Sequence, residues 1–153
     1  MYKKVNYSAE FAKRTRSILR DCFSEEYEVT QLINSMVGLL IIPEQKEYKN
    51  IDDNYISNEL LNKLQKCSKP SSVDFRTIIH RMRNAVAHSR IEFIGEKQSK
   101  DGNMEIQRVR FKDKNQRNSS DVFEIELCID DLKKLLYEFT DSIIKNEKTL
   151  CNK

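Results

Sequence analysis

The sequence predicts a mainly α-helical fold, a bundle of four to five helices with a small antiparallel β-meander inserted before the last helix. Three observations predict this fold. Apolar residues recur at helical spacing through most of the chain, they alternate with polar residues after Ser89, and helical spacing returns after Ile129. The 153 residues include only three glycines and two prolines and show no repeat or linker, so we expect residues 1–153 to form a single domain.

The first two helices are expected in the N-terminal third of the chain. Helix one begins near Ser8, a suitable N-cap, and runs to about Phe23. Helix two covers residues 28–42, carries apolar side chains on several sides as a central core helix does, and ends at Pro43. The side chains expected in the core are Phe11, Ile18, Leu19, Phe23, Val29, Leu32, Ile33, Met36, Val37, Leu39, Leu40 and Ile41.

Two more helices are expected between polar connections at residues 44–55 and 68–72. Ser57 is positioned to cap the shorter one. The longer one begins at Val73 or Asp74 and runs through the segment that contains both histidines of the chain. The side chains expected to be buried are Leu60, Leu61 and Leu64 in the shorter helix and Phe75, Ile78, Ile79, Met82 and Val86 in the longer one.

Alternating apolar residues predict three strands, at residues 91–93, 104–111 and 122–129. The apolar positions are Ile91 and Phe93 in the first, Met104, Ile106, Val109 and Phe111 in the second, and Val122 (or Phe123), Ile125, Leu127 and Ile129 in the third. Polar turns at 100–103 and 115–120 separate them, which makes an antiparallel meander the natural arrangement.

The last helix is expected to start from a cap at Asp130 or Asp131 and to fray beyond Lys145. Its predicted buried face consists of Leu132, Leu135, Leu136, Phe139, Ile143 and Ile144.

Charge and cysteine content limit the class of protein. The net charge is only +3, although basic residues concentrate in residues 1–20 and 97–117; such stretches are usually solvated surface, and a polyanion-binding surface is the alternative. The four cysteines are scattered without a CxxC pair and no secretory signal is evident, which favours reduced thiols in the cytoplasm. The longest apolar run, residues 36–42, is too short to span a membrane, so no membrane association is expected.

No motif for a metal or a cofactor is evident, because the sequence lacks a Gly-rich phosphate loop, paired zinc cysteines and an HExxH motif. A Ser/His/Asp triad stays open, although nothing indicates a nucleophile elbow. We therefore expect no cofactor and no metal site.

Residues 80–88 concentrate the chemically capable side chains: both histidines, two arginines and an asparagine. On a helix, His80, Asn84 and His88 fall near one face on successive turns. Arg83 and His88 are about 140° apart around a straight helix, and so do not point together. They can converge if the helix ends near His88, or if two copies of the helix meet across a two-fold axis.

Phosphodiester cleavage in RNA is the reaction that these side chains support. Histidine can take a proton from the ribose 2′-hydroxyl or give one to the leaving oxygen, since its pKa lies closest to neutrality. Arginine stays charged and grips two phosphate oxygens while charge builds in the transition state. Asparagine can hold an oxygen or fix the tautomer of the histidine. No metal is required for this chemistry.

Plain structural explanations compete with each of these roles. His88 near a helix C-terminus is a favourable dipole partner and capping residue. His80 can be an ordinary histidine on a helix surface. Both arginines can pair with acidic side chains such as Asp74 or Glu92. The residues by themselves leave these alternatives open.

The same segment resembles a known superfamily. Residues 83–88 match the signature of the HEPN superfamily, an arginine and a histidine separated by four to six residues, here with a polar residue directly after the arginine. Residues 27–43 resemble the second-helix block of one HEPN family, typified by a plasmid-encoded protein, and residues 75–79 resemble its Phe-Arg-rich approach to the motif. The strands after the histidine and the last helix also match that family's layout.

The resemblance implies a mainly helical HEPN fold and a homodimer in which the two motif helices form one composite cleft. It makes Arg83 and His88 the catalytic pair and Asn84 an accessory polar residue. Arg81 stands six residues before His88 and also fits the spacing, so it is a further accessory candidate together with His80. HEPN proteins are typically ribonucleases in defence, toxin–antitoxin or RNA-processing settings, which adds an antitoxin or regulatory protein to the expected partners.

Two hypotheses follow. The first is a dimeric, metal-independent endoribonuclease whose RNA backbone lies on basic residues of helix one and of the strand region. The second is a catalytically inactive HEPN module that binds RNA, a nucleotide or a partner protein. The basic residues expected to contact RNA are Lys13, Arg14, Arg16, Arg108 and Arg110.

Overall fold

The computed structural model describes residues 7–21, 28–41, 51–97, 104–115 and 117–151. The described α-helices are α1 (Tyr7–Asp21), α2 (Glu28–Ile41), α3 (Asn58–Cys67), α4 (Phe75–Ala87) and α5 (Ile129–Cys151). The described strands are β1 (Ser68–Lys69), β2 (Ile91–Lys97), β3 (Met104–Lys114) and β4 (Val122–Cys128), and a short 3₁₀-helix covers Asp53–Tyr55. The architecture confirms the predicted mainly α fold with a β-meander before the last helix.

The strands form one antiparallel sheet in the order β1-β4-β3-β2. Phe111 in the middle of β3 pairs with Ile91 on β2 and with Ile125 on β4. The two residues of β1 extend the sheet beyond β4, where Ser68 also pairs with Ile125. This fourth strand corrects the prediction of a plain connection at 68–72; two residues are too few to show alternation in the sequence.

One face of the sheet is covered by helices and the other carries charged side chains. Val109 and Phe111 of β3 point to the covered face, as do Phe123, Ile125 and Leu127 of β4. Helix α4 packs on β3 and on α2, while α5 packs on α1. The helices contribute the following buried side chains to the same core: Leu19, Leu32, Met36, Leu39, Leu40, Leu60, Leu64, Phe75, Ile78, Ile79, Met82, Leu132, Leu135, Leu136 and Phe139.

Helix α1 differs from its prediction at its start and on its buried face. It begins at Tyr7, so Ser8 lies inside the first turn and is not the N-cap. Ile18 is 46% exposed, which corrects its assignment to the core. The buried positions are Ala9, Ala12, Thr15 and Leu19. Small side chains form most of this face, so the spacing of large apolar residues located it poorly. Phe23 lies outside the described residues.

The later elements also show small departures. Ile41 and Phe93 are about half exposed. Of the two alternatives at the start of β4, Phe123 is buried and Val122 is about half exposed. The turn expected at 100–103 lies outside the described residues.

The last helix is longer than expected at both ends. It starts at Ile129, directly after β4, so the expected cap residues Asp130 and Asp131 lie in its first turn. At the other end the helix continues to Cys151 instead of fraying after Lys145. None of the helices within the described ranges is long and apolar enough to cross a membrane.

Candidate active site

Helix α4 carries the candidate residues, and its N-terminus is firmly capped. The carboxylate of Asp74 accepts a hydrogen bond from the Thr77 N–H at 2.7 Å. Its pKa is lowered by the Thr77 hydroxyl and then by this backbone bond, since both stabilise the charged form. The carboxylate of Asp53 accepts a second bond, from the Phe75 N–H at 2.7 Å. The predicted N-terminus at Asp74 is thus confirmed.

The C-terminus of α4 closes in a Schellman motif around His88. The backbone N–H of Ser89 donates to Val86 at 3.0 Å, and that of Arg90 donates to Ala85 at 2.8 Å. Ser89 has a φ of 54°, the left-handed conformation that usually favours glycine at this position. The helix therefore ends at Ala87, with His88 as its exposed C-cap. This meets one of the two conditions under which Arg83 and His88 can converge.

The segment after His88 is fastened to the sheet by Arg90. Its backbone carbonyl accepts a bond from the Lys112 N–H at 3.0 Å. Its guanidinium donates to the Lys114 carbonyl at 3.1 Å and lies 4.0 Å from the Asp113 carboxylate. The end of α4 is consequently held against the end of β3.

Asp113 is the centre of the polar contacts between α4 and the sheet. It is only 4% exposed, because it occupies a position of β3 that faces the helices. Its Oδ2 accepts from Arg81 at 3.0 Å and from the Asn84 amide nitrogen at 3.2 Å. A buried carboxylate needs such donors, since leaving it without partners would be costly.

Arg81 is held between two carboxylates. Its second guanidinium nitrogen pairs with Asp121 in the connection from β3 to β4. The bond to Asp121, followed by that to Asp113, raises the pKa of Arg81, and the same guanidinium lowers the pKa of Asp121. Arg81 therefore fixes α4 to the strands. The acids expected from the sequence, Asp74 and Glu92, are not its partners.

The remaining candidates on α4 are at least partly exposed to solvent. His80 is exposed, and its Nε2 is 3.4 Å from the Asn84 amide nitrogen. Arg83 is half-buried and His88 is exposed. The structure thus brings Arg81 and Asn84 to Asp113 and places His80 beside Asn84, one turn before the exposed His88.

Sequence reasoning missed Asp113 and Asp121. The alternation of β3 contained the signal for Asp113, because Val109, Phe111 and Asp113 fall on the same face of the strand. A carboxylate at an inward-facing position indicates a buried polar partner. Asp121 carried no such signal, since it lies in a polar connection.

The basic residues expected on α1 contact neighbours within the chain. Lys13 pairs with Glu10 at 3.3 Å. Arg16 donates to the Tyr137 carbonyl at 2.9 Å, stacks over the Tyr137 ring at 4.4 Å and pairs with Asp141 at 3.2 Å. Arg16 therefore joins α1 to α5.

The expected arginines of β3 belong to a charged ladder on the outer face of the sheet. Arg108 pairs with Glu126 at 3.0 Å, while Arg110 pairs with Glu126 at 2.7 Å and with Glu92 at 2.9 Å. Arg110, then Arg108, lowers the pKa of Glu126. Lys112, then Arg110, lowers that of Glu92. An RNA phosphate would have to compete with these carboxylates for both arginines.

An open groove of about 520 Å³ adjoins the end of α4. Its lining consists of Ser89, Arg90, Ile91, Glu92, Lys112, Asp113, Lys114, Val122 and Glu124. Basic and acidic side chains are balanced there. Within the described ranges, no three His, Cys, Asp or Glu side chains are grouped so that they could hold a metal ion.

Comparison with known proteins identifies the family. The chain matches the family model described as HEPN pEK499 p136 over residues 1–150. No curated protein and no solved structure matches it. Because the match extends over nearly the whole chain, the protein belongs to the HEPN pEK499 p136 family of the HEPN superfamily.

Proposed function

We propose that the protein is an endoribonuclease that cleaves RNA without a metal ion, by attack of a ribose 2′-hydroxyl on the adjacent phosphate. Membership of the HEPN superfamily supports this reaction, since many HEPN domains are ribonucleases. The observation that carries the proposal is the end of α4: the helix stops at Ala87 and leaves the His88 ring exposed five residues after Arg83.

His88 exchanges protons in this proposal. An exposed imidazole at the end of a helix can reach a substrate that lies over the helix terminus. It would act as general base toward the 2′-hydroxyl or as general acid toward the leaving 5′-oxygen. This combination of groups needs no Lewis acid, because the imidazole moves the proton and a guanidinium neutralises the phosphate charge.

Arg83 is the arginine that we assign to the phosphate. Arg81 also has the required spacing from His88, but Asp113 and Asp121 hold its guanidinium against the strands. Arg81 and Arg83 are two residues apart, about 200° around the helix, so they point in nearly opposite directions. Arg83 would bind the phosphate oxygens in the planar, two-pronged manner of guanidinium groups.

We further propose a homodimer in which the α4 ends of two copies form one composite cleft, so that Arg83 of one copy can act with His88 of the other. RNA is the substrate, and an antitoxin or regulatory protein is a further partner in a cytoplasmic defence, toxin–antitoxin or RNA-processing setting. Lys13, Arg14, Arg16, Arg108 and Arg110 stay predictions as RNA contacts.

The test compares labelled RNA with DNA of the same sequence, both incubated with the protein in EDTA. We expect the RNA to be cut, the DNA to stay intact and the 5′ fragment to end in a 2′,3′-cyclic phosphate or its hydrolysis product. Cleavage that disappears on chelation and returns with a divalent metal would contradict the metal-free mechanism. Saturable RNA binding without any cleavage would instead select a binding module.

A further inference from the structure

The amide of Asn84 has a defined orientation. Its Nδ2 lies 3.2 Å from Oδ2 of Asp113, and this carboxylate also accepts from Arg81. A carboxylate paired with an arginine only accepts hydrogen bonds, so the amide must present its nitrogen to Asp113. Turning the amide over would place its oxygen against the carboxylate and create a repulsive contact in a buried position.

The second amide proton of Asn84 also has a partner. Nδ2 is 3.4 Å from Nε2 of His80, and a neutral His80 ring with its proton on the other nitrogen can accept from it. With the His80 ring in that tautomer, both N–H groups of Asn84 are directed to protein atoms. What Asn84 has left to offer a ligand is Oδ1, which accepts hydrogen bonds and donates none.

This orientation decides between the two roles that an asparagine can have beside a phosphodiester. A phosphate oxygen needs a donor, so it is a poor partner for Oδ1 of Asn84. A ribose hydroxyl is a donor and therefore a suitable one. The hydroxyl also distinguishes RNA from DNA at a given nucleotide.

We propose that Asp113 is a positioning residue that turns the Asn84 amide so that its Oδ1 accepts a hydrogen bond from a ribose 2′-hydroxyl of the substrate. The inference rests on the proposed function for the location of the RNA, at the end of α4. Asn84 then contributes to selection of RNA over DNA, and Asp113 acts only through Asn84.

Binding measurements test this separately from catalysis. The probes are a fluorescent ten-nucleotide RNA and the DNA of the same sequence, and the background is His88→Ala, so that no RNA is lost to cleavage. We measure the ratio of the two dissociation constants, DNA over RNA. We expect Asn84→Ala to lower this ratio roughly threefold to tenfold, the effect of one hydrogen bond. Asp113→Asn should lower it in the same direction, since an amide at 113 no longer enforces the orientation.

Asp121→Asn is the matched control. It also removes a carboxylate from Arg81 but does not contact Asn84, so the ratio should stay unchanged. A purely structural role of Asp113 would weaken RNA and DNA binding equally and would leave the ratio as it is. That result, or an unchanged ratio in Asn84→Ala, would overturn the inference even if the protein cleaves RNA.

NMR provides the second measurement if Asp113→Asn does not fold. In the wild-type protein, the side-chain amide protons of Asn84 should exchange with water more slowly than those of the exposed Asn62. Equal exchange rates would overturn the orientation. A further outcome is that the wild-type protein fails to cleave RNA while Asn84→Ala still lowers the preference for RNA over DNA. That pair of results would contradict the proposed nuclease activity and support the assignment of Asn84.

Discussion

At the scale of single residues, we propose separate roles for the two arginines Arg81 and Arg83 of α4. Arg81 and Arg83 lie on nearly opposite sides of α4 because two residues turn a helix by about 200°. Arg81 faces β3 and satisfies the buried carboxylate of Asp113. Spacing alone allows either arginine to act with His88; the contacts of Arg81 assign it to the fold.

Stability measurements separate these tasks. Arg81→Ala leaves the carboxylate of Asp113 without its principal charged partner, and we expect it to lower the free energy of unfolding by about 2–3 kcal/mol. Arg83→Ala should lower that free energy by less, because it leaves the bond between Arg81 and the buried Asp113 carboxylate in place. Urea unfolding of both variants provides the comparison. Equal losses would contradict the separate roles.

Residue identity alone revealed only part of this site. His80, Arg83, Asn84 and His88 stood out because polar and titratable groups crowd one short segment. The dependence of Asn84 on Asp113 joins residues that are 29 positions apart. Such a contact follows from the packing of α4 on β3, which spacing along one helix does not contain.

At the scale of elements, the end of α4 determines where His88 lies. The Schellman motif uses Ser89 where glycine is the usual residue, so the sequence offered no glycine to indicate the helix end. A non-glycine residue in the left-handed conformation costs roughly 1 kcal/mol. Contacts of Arg90 with β3 hold this conformation in place.

Glycine substitution tests this account of the helix end. Ser89→Gly relieves the left-handed conformation, and we expect the free energy of unfolding to rise by about 0.5–1 kcal/mol. Ala87→Gly is the matched control: it places glycine two residues earlier, inside the helix, and should lower stability by about 1 kcal/mol. Thermal unfolding of both variants gives the sign. A loss of stability in Ser89→Gly would contradict the strain at this position.

Elements with a clear local signal were predicted well. Ser57 caps its helix as expected, and Asp74, one of the two expected starting points of the next helix, is its N-cap. A side-chain oxygen directly before an apolar helical run is a local pattern. The strand β1 and the buried face of α1 were not predicted. Both depend on partners distant in sequence: Ser68 pairs with Ile125, and the buried Ala12 belongs to a helix that packs on α5.

At the scale of the whole molecule, the candidate site lies where the helical layer meets the sheet. The fold class was predictable because the apolar period changes from helical to alternating and back along the chain. The charged surface was less predictable. Two arginines that look available in the sequence form ion pairs within the chain. Arg16 pairs with Asp141 and joins α1 to α5, and Arg110 of β3 pairs with Glu126 of β4.

The composite cleft that we propose would be a property of two copies. Around a straight helix, Arg83 and His88 are about 140° apart. Arg83 lies inside α4, so the end of the helix at Ala87 changes the position of His88 but not that of Arg83. A two-fold axis near this end would bring Arg83 of one copy to His88 of the other. We therefore predict that the two residues can be supplied by different chains.

The most direct test of the central claim mixes two inactive variants. Arg83→Ala and His88→Ala are assayed on labelled RNA in EDTA, alone and after equal amounts are unfolded and refolded together, with Arg76→Ala as an arginine control on the same helix. We expect each variant alone to lose at least about a hundredfold in rate, a typical effect of removing an acid–base or charge-stabilising group. The control should stay active. The mixture should recover about a quarter of the wild-type rate. Half of the dimers are mixed, and each mixed dimer holds one intact Arg83–His88 pair where a wild-type dimer holds two. Full activity in either single variant would contradict the site, and a mixture that stays inactive would contradict its composite nature.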